Sequence, residues 1–521
     1  MNDIIKNNNL TKEDVITNQA LNDQPSQTQS ANDQPTTNKP KSKATVNFRP
    51  IVVACLIMML AIVAYVNSAA FLCVFGVVAF VVLSIATKDG QKRIIYVIFA
   101  IAILLGTLSP YLVDLKYNSK PQSISGKMTA TVLTMTVDGQ AVVSDITING
   151  KTYGKGIINT DKILALGDII TFEGQGSRVD LLNDYHLRGG FFEQVEYELY
   201  ANKIELLSEK KISLAILVRE FYKSTMMQFM SKDSFAAFYG MLFGDTSYML
   251  TDKLQSMRLG GIAHVFAVSG LHVGVLYAFL SKLLSSKSAK TKLAVIFPIL
   301  VLYAYVCGFT PSIMRATAML TLALLAEILG LHNDKLTTLA SSAIITLALS
   351  PYSLFSCGFV LSFAIVGTIY LTSKNVEKLF PKKRDVGGAF RVSVCASLGS
   401  LPLSSYYFGN LSLLSLPLNI ICVPLLSALF MAVIVITPIT AVLGLNVLAI
   451  VDLIYSCLSA FIDLIISTNL GIFNYSMPIL PLLFIFASYF CLSDYLIWDN
   501  KSKKKLFLLL FTLSVIMCVV I

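Results

Sequence analysis

The run IIYVIFAIAILLGTLSPYLV, residues 94–113, decides the fold. It carries no charged side chain and fits the roughly 20 residues that a helix needs to cross a bilayer. Similar apolar runs recur at residues 51–65, 293–307 and 506–521. The whole chain is 55% hydrophobic and 14% charged, with a mean hydropathy of +0.69, whereas soluble domains are roughly 45–50% apolar and 25% charged. The sequence therefore predicts a polytopic α-helical membrane protein with about 11–13 transmembrane helices.

A polar stretch, residues 117–211, interrupts the apolar runs. It contains the short segments MTATVLTMTV, AVVSDITI and DIITFEGQG, in which apolar and polar residues alternate. Alternation with period two is typical of half-buried strands, and the Gly-containing turns between the segments favour antiparallel pairing. The sequence predicts one inserted all-β domain.

The basic residues predict the orientation of the chain. Lys and Arg cluster in short loops at residues 39–49, 88–93, 282–292, 374–384 and 501–505. Cytoplasmic loops carry an excess of these residues. We therefore expect these loops and the N-terminus in the cytoplasm and the β domain outside, and this topology explains most of the formal net charge of +10.

These patterns divide the chain into six segments. The residues at 212–256 show apolar side chains at helical spacing beside charged ones, which predicts amphipathic helices at the outer membrane surface. The expected order is a disordered cytoplasmic tail (1–50), N-terminal transmembrane helices (51–113), the extracytoplasmic β domain (117–211), the amphipathic helices (212–256), a transmembrane core (257–498) and a C-terminal transmembrane helix (506–521).

The cysteine and histidine patterns give no sign of a metal site or a cofactor. The nine cysteines lie in apolar runs without CxxC spacing, which is typical of buried small hydrophobic residues rather than of a disulfide framework. The four histidines form no H-x-H-x-D-H run, and the chain has no G-x-x-x-x-G-K-[ST] phosphate-binding loop. We expect no cofactor, and a driving force supplied by other proteins.

The densest polar cluster inside apolar sequence is GGIAHVFAVSGLHVGVLYAFL, residues 260–280. Ionisable residues at membrane depth are costly, so they face a bundle interior or a water-filled cavity. At about 100° per residue, one helix face could hold His264, Ser269 and His272 together. The neighbouring glycines would let a helix or a substrate approach closely, or would let the helix break around a cavity. Simple helix packing, with each His bonded to neighbouring carbonyls, is the alternative.

Four ordered motifs resemble one family. They are GMLFGDTSYML with MRLGGIAHVFAVSGLHVGVL (240–276), CGFTPSIMRATAML (307–320), CGFVLSFAIVG (357–367) and SLPLSSYYFGNLSLLSLPLNIICVPL (400–425). Together they resemble the ComEC family, the membrane channel of bacterial competence. The resemblance implies that the β insert is the family's external OB-like domain, and that the chain is an inner-membrane channel that passes single-stranded DNA into the cytoplasm during natural transformation.

The resemblance also suggests where DNA would pass. The candidate path residues, which lie in the four motifs, are Asp245, His264, Ser269, Gly270, His272, Ser312, Arg315, Ser362 and Asn419. The implied partners are single-stranded DNA, the lipid bilayer, a DNA receptor outside and a helicase or strand-binding proteins in the cytoplasm. Many family members carry a C-terminal metallo-β-lactamase-like domain, and this sequence is expected to be a form without it.

The β domain offers a second set of candidates, namely Arg178, Tyr185, Arg188 and Phe191. OB barrels bind single strands through a basic groove and aromatic stacking. Residues 120–211, however, hold ten Lys and Arg against twelve Asp and Glu, a net charge near −2. This sum does not support a strongly electrostatic grip on DNA.

Three intramembrane polar groups have alternative interpretations. Arg315 could meet a phosphate, pair with Glu327 or bind a lipid headgroup. Asn419, between Pro417 and Pro424, suggests a broken helix beside a cavity. Asp452 and Asp463 would lie within about 20° on one helical face, where they either bond neighbouring helices or line a polar cavity.

Two other functions remain as alternatives to a channel without enzymatic activity. Ser269 with two nearby histidines superficially resembles the Ser and His pair of an intramembrane serine hydrolase or protease, but all three residues lie on one stretch. A small-solute transporter would show an internal inverted repeat, and none is visible.

Overall fold

The computed structural model describes residues 45–46, 49–135, 140–160, 164, 167–179, 195–210, 213–266, 268–331, 334–381, 386–468 and 471–520. The predicted N-terminal tail, residues 1–50, lies almost entirely outside the described residues. The described helices are α1 Pro50–Val66, α2 Ala70–Ala86, α3 Gly90–Asn118, α4 Leu214–Phe229, α5 Lys232–Phe243, α6 Thr251–Leu259, α7 Ala263–Phe266, α8 Gly270–Leu283, α9 Ala289–Val306, α10 Pro311–Ile328, α11 Lys335–Leu349, α12 Cys357–Leu379, α13 Val386–Phe408, α14 Ser415–Leu443, α15 Leu448–Ser467, α16 Ile479–Leu492 and α17 Asn500–Val520.

The described strands are β1 Thr45–Val46, β2 Ser123–Met135, β3 Gln140–Ile148, β4 Lys151–Thr152, β5 Lys155–Asn159, β6 Asp168–Arg178, β7 Val195–Lys210, β8 Asn410–Ser412, β9 Ile472–Asn474 and β10 Leu496–Ile497.

Apolar helices make up the membrane part of the fold. Within the described residues, five helices are long and apolar enough to cross a bilayer: α3, α9, α12, α14 and α15. Five further apolar helices are shorter, namely α1, α2, α8, α11 and α16. The predicted class, a polytopic helical membrane protein with an inserted β domain, is confirmed. The count of 11–13 spans stays a prediction.

The β insert closes into a barrel. Strands β2, β3, β5, β7 and β6 follow one another around it, and pairing of β6 with β2 completes the circle. Only the pairing of β5 with β7 is parallel among these described strands. Five strands in this closed arrangement are the OB-like architecture that the alternating sequence and the resemblance predicted.

Polar contacts fix the barrel on the end of α3. Arg178 Nη1 donates to the backbone oxygens of Tyr117 and Lys120, both at 3.1 Å, and its guanidinium lies 4.5 Å from the centre of the Tyr117 ring. The Tyr197 hydroxyl donates to the oxygen of Pro121 at 3.1 Å. Burial raises the pKa of Tyr197 to about 12, so this hydroxyl remains a donor at neutral pH.

The segment expected at the outer membrane surface packs differently. All ten residues of α5 from Ser234 to Phe243 are buried, whereas a helix lying on a surface keeps one exposed face. Ser231 bonds Asp452 near the start of α15, and Lys253 pairs with Asp463 near its end. Those aspartates are separated by about 16 Å along the helix. The segment between them therefore runs along α15, inside the helical core.

Helix α4, at the start of the same segment, has an inverted polarity. In its first half the exposed residues are apolar, namely Leu214, Leu217 and Phe221, whereas its second half also exposes Ser224 and Gln228. Its covered side holds Arg219, which is only 4% exposed, and Tyr222, whose hydroxyl donates to the oxygen of Ile434 at 2.9 Å. An apolar outside and a polar inside suit a helix that faces lipid.

Helix α14 corrects a further expectation. The prediction of a broken helix around Asn419 is wrong, because α14 continues through both prolines from Ser415 to Leu443. Pro417 is the third residue of the helix, where a backbone N–H would have no intrahelical partner. Pro424 removes one interior hydrogen bond, and buried residues along the rest of the helix keep it packed.

Two ends of the bundle are tied by different side chains. At one end Arg49, before α1, pairs with Asp334, before α11, at 2.7 Å, and Lys374 pairs with Asp494 at 2.5 Å. At the other end Asp114, near the end of α3, accepts hydrogen bonds from Tyr65 at 2.8 Å and Tyr352 at 2.5 Å. The first end carries the loops with the basic clusters, which are expected on one side of the membrane.

Candidate functional site

The site begins at the start of α8, where Ser269 is the N-cap residue. Ser269 has an extended backbone (φ −137°, ψ 166°), and its N–H donates to His272 Nδ1 at 3.2 Å. Its Oγ lies 3.3 Å from the same nitrogen. Since Nδ1 accepts a hydrogen bond from the backbone N–H of Ser269, a neutral His272 ring carries its own hydrogen on Nε2. A histidine takes the place that Glu or Gln has in a capping box.

His272 is enclosed by protein. Its side chain is 0% exposed, and its ring centre lies 4.5 Å from that of Phe430 on α14. Nε2 has no hydrogen-bond partner among the described residues. A buried donor without an acceptor costs roughly 1–3 kcal/mol. His272 Nε2 thus remains without a hydrogen-bond partner where α8 meets α14. The bundle is closed at this point.

His264 has the opposite setting. It lies on the short helix α7, and its side chain is exposed although its neighbours Ile262 and Val265 are buried. Protein nevertheless surrounds it densely, and it bonds the backbone of Gly261.

The expectation of a single helix face for the three residues is wrong. The extended backbone of Ser269 divides the stretch between α7 and α8, so His264 and His272 lie on separate helices. Ser269 and His272 are in contact, whereas no hydrogen bond joins either residue to His264 in the described chain. A break of the helix was one of the roles considered for the glycines, but its position at Ser269 was not predicted, because a Ser next to Gly at the start of a helix resembles helix interior in an apolar run.

Glycines bring the site helices close together. A side chain on Gly270 would overlap Arg315 Nη2 and would lie 3.4 Å from the backbone oxygen of Ser312. A side chain on Gly261 would overlap Ser415 at the start of α14. The close approach that the glycines predicted is therefore present, and it joins α8 to α10 and the turn before α7 to α14.

Arg315 contributes a positive charge to this contact. It is 7% exposed and makes no ion pair or hydrogen bond with the described residues, and its Nε is enclosed. Its guanidinium lies 5.5 Å from the centre of the Phe363 ring on α12. The alternative of a partner at Glu327 does not fit, since Glu327 lies about 18 Å further along α10.

The other candidates occupy separate places. Asn419 is 7% exposed, and its Oδ1 has no partner in the described part of the chain. Asp245 is 8% exposed and accepts from Ser247 N at 3.1 Å and Ser247 Oγ at 2.5 Å, so it closes a turn after α5. Ser312 and Ser362 are both half-buried.

In the β domain, only one of the four candidates can be placed. Tyr185, Arg188 and Phe191 lie outside the described residues. The Arg178 guanidinium is engaged by the end of α3, as described above. Its contacts are those of a residue that orients the barrel.

One residue that organises the site was not found from the sequence. Arg219 Nε donates to the oxygen of Val306 at 2.8 Å, and Nη2 to that of Phe243 at 3.4 Å. It thus meets the carbonyl ends of α9 and α5, where a cation is favourable. The sequence placed it on the polar face of a surface helix. Its depth depends on packing that composition does not reveal.

The described residues contain no group of three or more His, Cys, Asp or Glu side chains that could hold a metal ion. The polar atoms of the site are instead hydroxyls, an amide, imidazoles and a guanidinium on facing helices. Such groups can bind and orient a polar solute.

Apolar helices, an OB-like barrel and polar groups held between helices define a multi-pass membrane protein. The Competence protein family model matches residues 241–500, about half of the 521 residues. This region contains all nine of the candidate path residues. The chain belongs to the ComEC family of competence proteins.

Three curated relatives are similar to parts of the chain. ComE operon protein 3 of Bacillus subtilis (strain 168) is 34% identical over 194 residues, 37% of this chain and 25% of that protein. Recombination protein 2 of Haemophilus influenzae is 25% identical over 212 residues, 37% of this chain and 27% of that protein. An uncharacterized protein of Aquifex aeolicus (strain VF5) is 28% identical over 261 residues, 50% of this chain and 58% of that protein. The matches thus span a quarter to somewhat over half of these relatives. No solved structure matches the chain.

Proposed function

We propose that this protein is a channel that passes single-stranded DNA through the inner membrane during natural transformation, without enzymatic activity of its own. The observation that carries the proposal is the exposed His264, an ionisable side chain between apolar helices in the part of the chain that matches the competence family. Buried polar atoms without protein partners on α8, α10 and α14 extend the polar surface inward. Polar groups inside a lipid-facing bundle are expensive and indicate a pathway.

The channel is closed in this conformation at His272. Passage requires α8 and α14 to separate where the imidazole packs on Phe430. Opening would give Nε2 of His272 and Oδ1 of Asn419 access to water or to a nucleotide. A hydrophobic contact that parts to admit water is a known form of gate.

The proposed orientation places the N-terminus in the cytoplasm and the β domain outside. The ion pairs of Arg49 with Asp334 and of Lys374 with Asp494 join loops at one end of the bundle. Those loops lie next to the basic clusters, which favour the cytoplasmic side. The barrel is fixed to the far end of α3. A DNA receptor would then deliver the strand outside, and a helicase or strand-binding proteins would draw it in.

The experiment follows labelled DNA in cells that lack the gene and carry either the wild-type chain or a His272→Ala or His264→Ala variant. We expect the deletion and both variants to hold DNA outside the inner membrane, with normal protein abundance and normal binding at the cell surface. Normal transformation in the deletion strain would contradict the proposal.

A serine hydrolase is the second candidate, because Ser269 Oγ lies 3.3 Å from His272 Nδ1. The same nitrogen, however, already accepts the backbone N–H of Ser269. Ser269→Ala separates the two functions. A hydrolase would lose its activity, whereas a channel would keep most of its DNA uptake because only a local contact is lost.

A further inference from the structure

Arg315 poses an electrostatic problem that the closed bundle does not solve. A guanidinium is always charged in proteins and has five N–H donors. This one is 7% exposed, with Nε fully enclosed and without a hydrogen-bond partner in the described chain. Burying a charge without a counter-charge is strongly unfavourable. The arrangement therefore indicates an anion that is bound during function.

The surroundings of Arg315 add to the positive potential. Its Nη2 lies against Gly270, the first residue of α8, a helix of 14 residues. Arg315 itself lies in the first turns of α10, which begins at Pro311. Helix N-termini carry partial positive charge and unpaired N–H groups, and they bind anions. The Phe363 ring on α12 covers another side of the guanidinium. No carboxylate forms an ion pair with it in the described residues.

We infer that Arg315 and the N-terminus of α8 form a phosphodiester site, which holds one backbone phosphate of the strand at a time. The inference rests on the proposed function and specifies its ligand chemistry. A planar guanidinium matches two phosphate oxygens, and the backbone N–H groups in the first turn of a helix can donate to another. The absence of a side chain at Gly270 is what allows the guanidinium and the helix end to converge.

The strand is favoured over a phospholipid as the source of the phosphate. A lipid headgroup would approach from the outside of the bundle, but Arg315 faces α8 and α12, and little of it is exposed. Gly270, which meets Arg315, directly follows Ser269, and Ser269 contacts His272; the proposed path includes all of these residues. Recognition of phosphate alone also fits a channel that must accept any base sequence.

The test uses the full chain in liposomes and two oligothymidylates of equal length. One has normal phosphodiester linkages, and the other has uncharged methylphosphonate linkages. We expect the wild-type chain to bind the charged strand more tightly than the uncharged one. Arg315→Gln should lower the affinity for the charged strand about tenfold or more and leave that for the uncharged strand unchanged. Arg315→Lys should keep part of the preference. Arg391→Gln, in which the lost arginine is paired with Glu377 on the protein, is the matched control and should behave as wild type.

Each outcome is decisive. A preference for the charged strand that survives Arg315→Gln overturns the site. A variant that keeps the preference but purifies with less bound phospholipid than wild type assigns the site to lipid and overturns the DNA assignment. If the wild-type chain binds neither strand, the proposed function fails together with the site. The melting temperature and elution volume of each variant show whether it is folded. If Arg315→Gln does not fold, the binding comparison is made with Arg315→Lys instead.

Discussion

The guanidinium of Arg315 occupies the space that a side chain at Gly270 would fill. This contact joins the N-termini of α8 and α10 and places a buried positive charge next to Gly270, the residue that follows Ser269. It depends on one residue without a side chain and on one long cation from a helix distant in sequence.

A methyl group at position 270 should therefore disturb the site. Gly270→Ala would force Arg315 to move, and we expect DNA entry to fall at least tenfold while the protein still inserts in the membrane. The assay is acquisition of a labelled donor strand, normalised to protein abundance.

Gly274→Ala is the matched control on the same helix, because a Cβ at Gly274 meets nothing within 4 Å. It should leave DNA entry unchanged and raise helix stability by about 1 kcal/mol. An equal loss of DNA entry in both variants would show that the contact at Gly270 has no specific role in DNA entry.

Arg178 is predicted to orient the barrel rather than to bind DNA. Arg178→Gln removes hydrogen bonds to the oxygens of Tyr117 and Lys120 at the end of α3. We expect unfolding of the whole chain to become easier by roughly 1–3 kcal/mol, as seen in the melting temperature. Binding of single strands should not change once the fraction of folded protein is taken into account. A large loss of strand affinity without a change in stability would instead support a direct contact.

Asp452 is predicted to have a structural role. Its Oδ1 accepts from Ser231 N at 3.1 Å and from Ser231 Oγ at 2.6 Å, next to the start of α5. Asp452→Ala should lower the free energy of unfolding by roughly 1–3 kcal/mol, because two donors lose a charged acceptor. Thermal melting measures this loss. Cys457→Ala, an exposed position on the same helix, should change little.

The class of fold could be predicted from the sequence because lipid and sheet impose short-range rules. Twenty uncharged residues at 94–113 are read as a span, and alternation at 128–137 is read as a strand. Both signals lie within a few neighbouring residues. The OB-like barrel and the helical bundle follow from them without knowledge of distant contacts.

The details of the site depend on tertiary contacts and could not be predicted in the same way. A helix with apolar and charged residues can lie on a membrane or inside a bundle, and only packing shows that Arg219 and α5 are enclosed. The continuity of α14 through Pro424 likewise depends on its buried neighbours. The pairing of Gly270 with Arg315 joins two motifs that the sequence presents separately.

Photo-cross-linking during uptake tests most directly whether DNA passes between the helices. A benzoyl-phenylalanine replaces either Phe430, which is 0% exposed beside His272, or Phe461, which is 39% exposed on the outside of α15. With a labelled donor strand under irradiation, we predict a covalent adduct with the strand at position 430 and none at position 461. Undiminished DNA entry in the Phe430 variant with no adduct at that position would contradict the account.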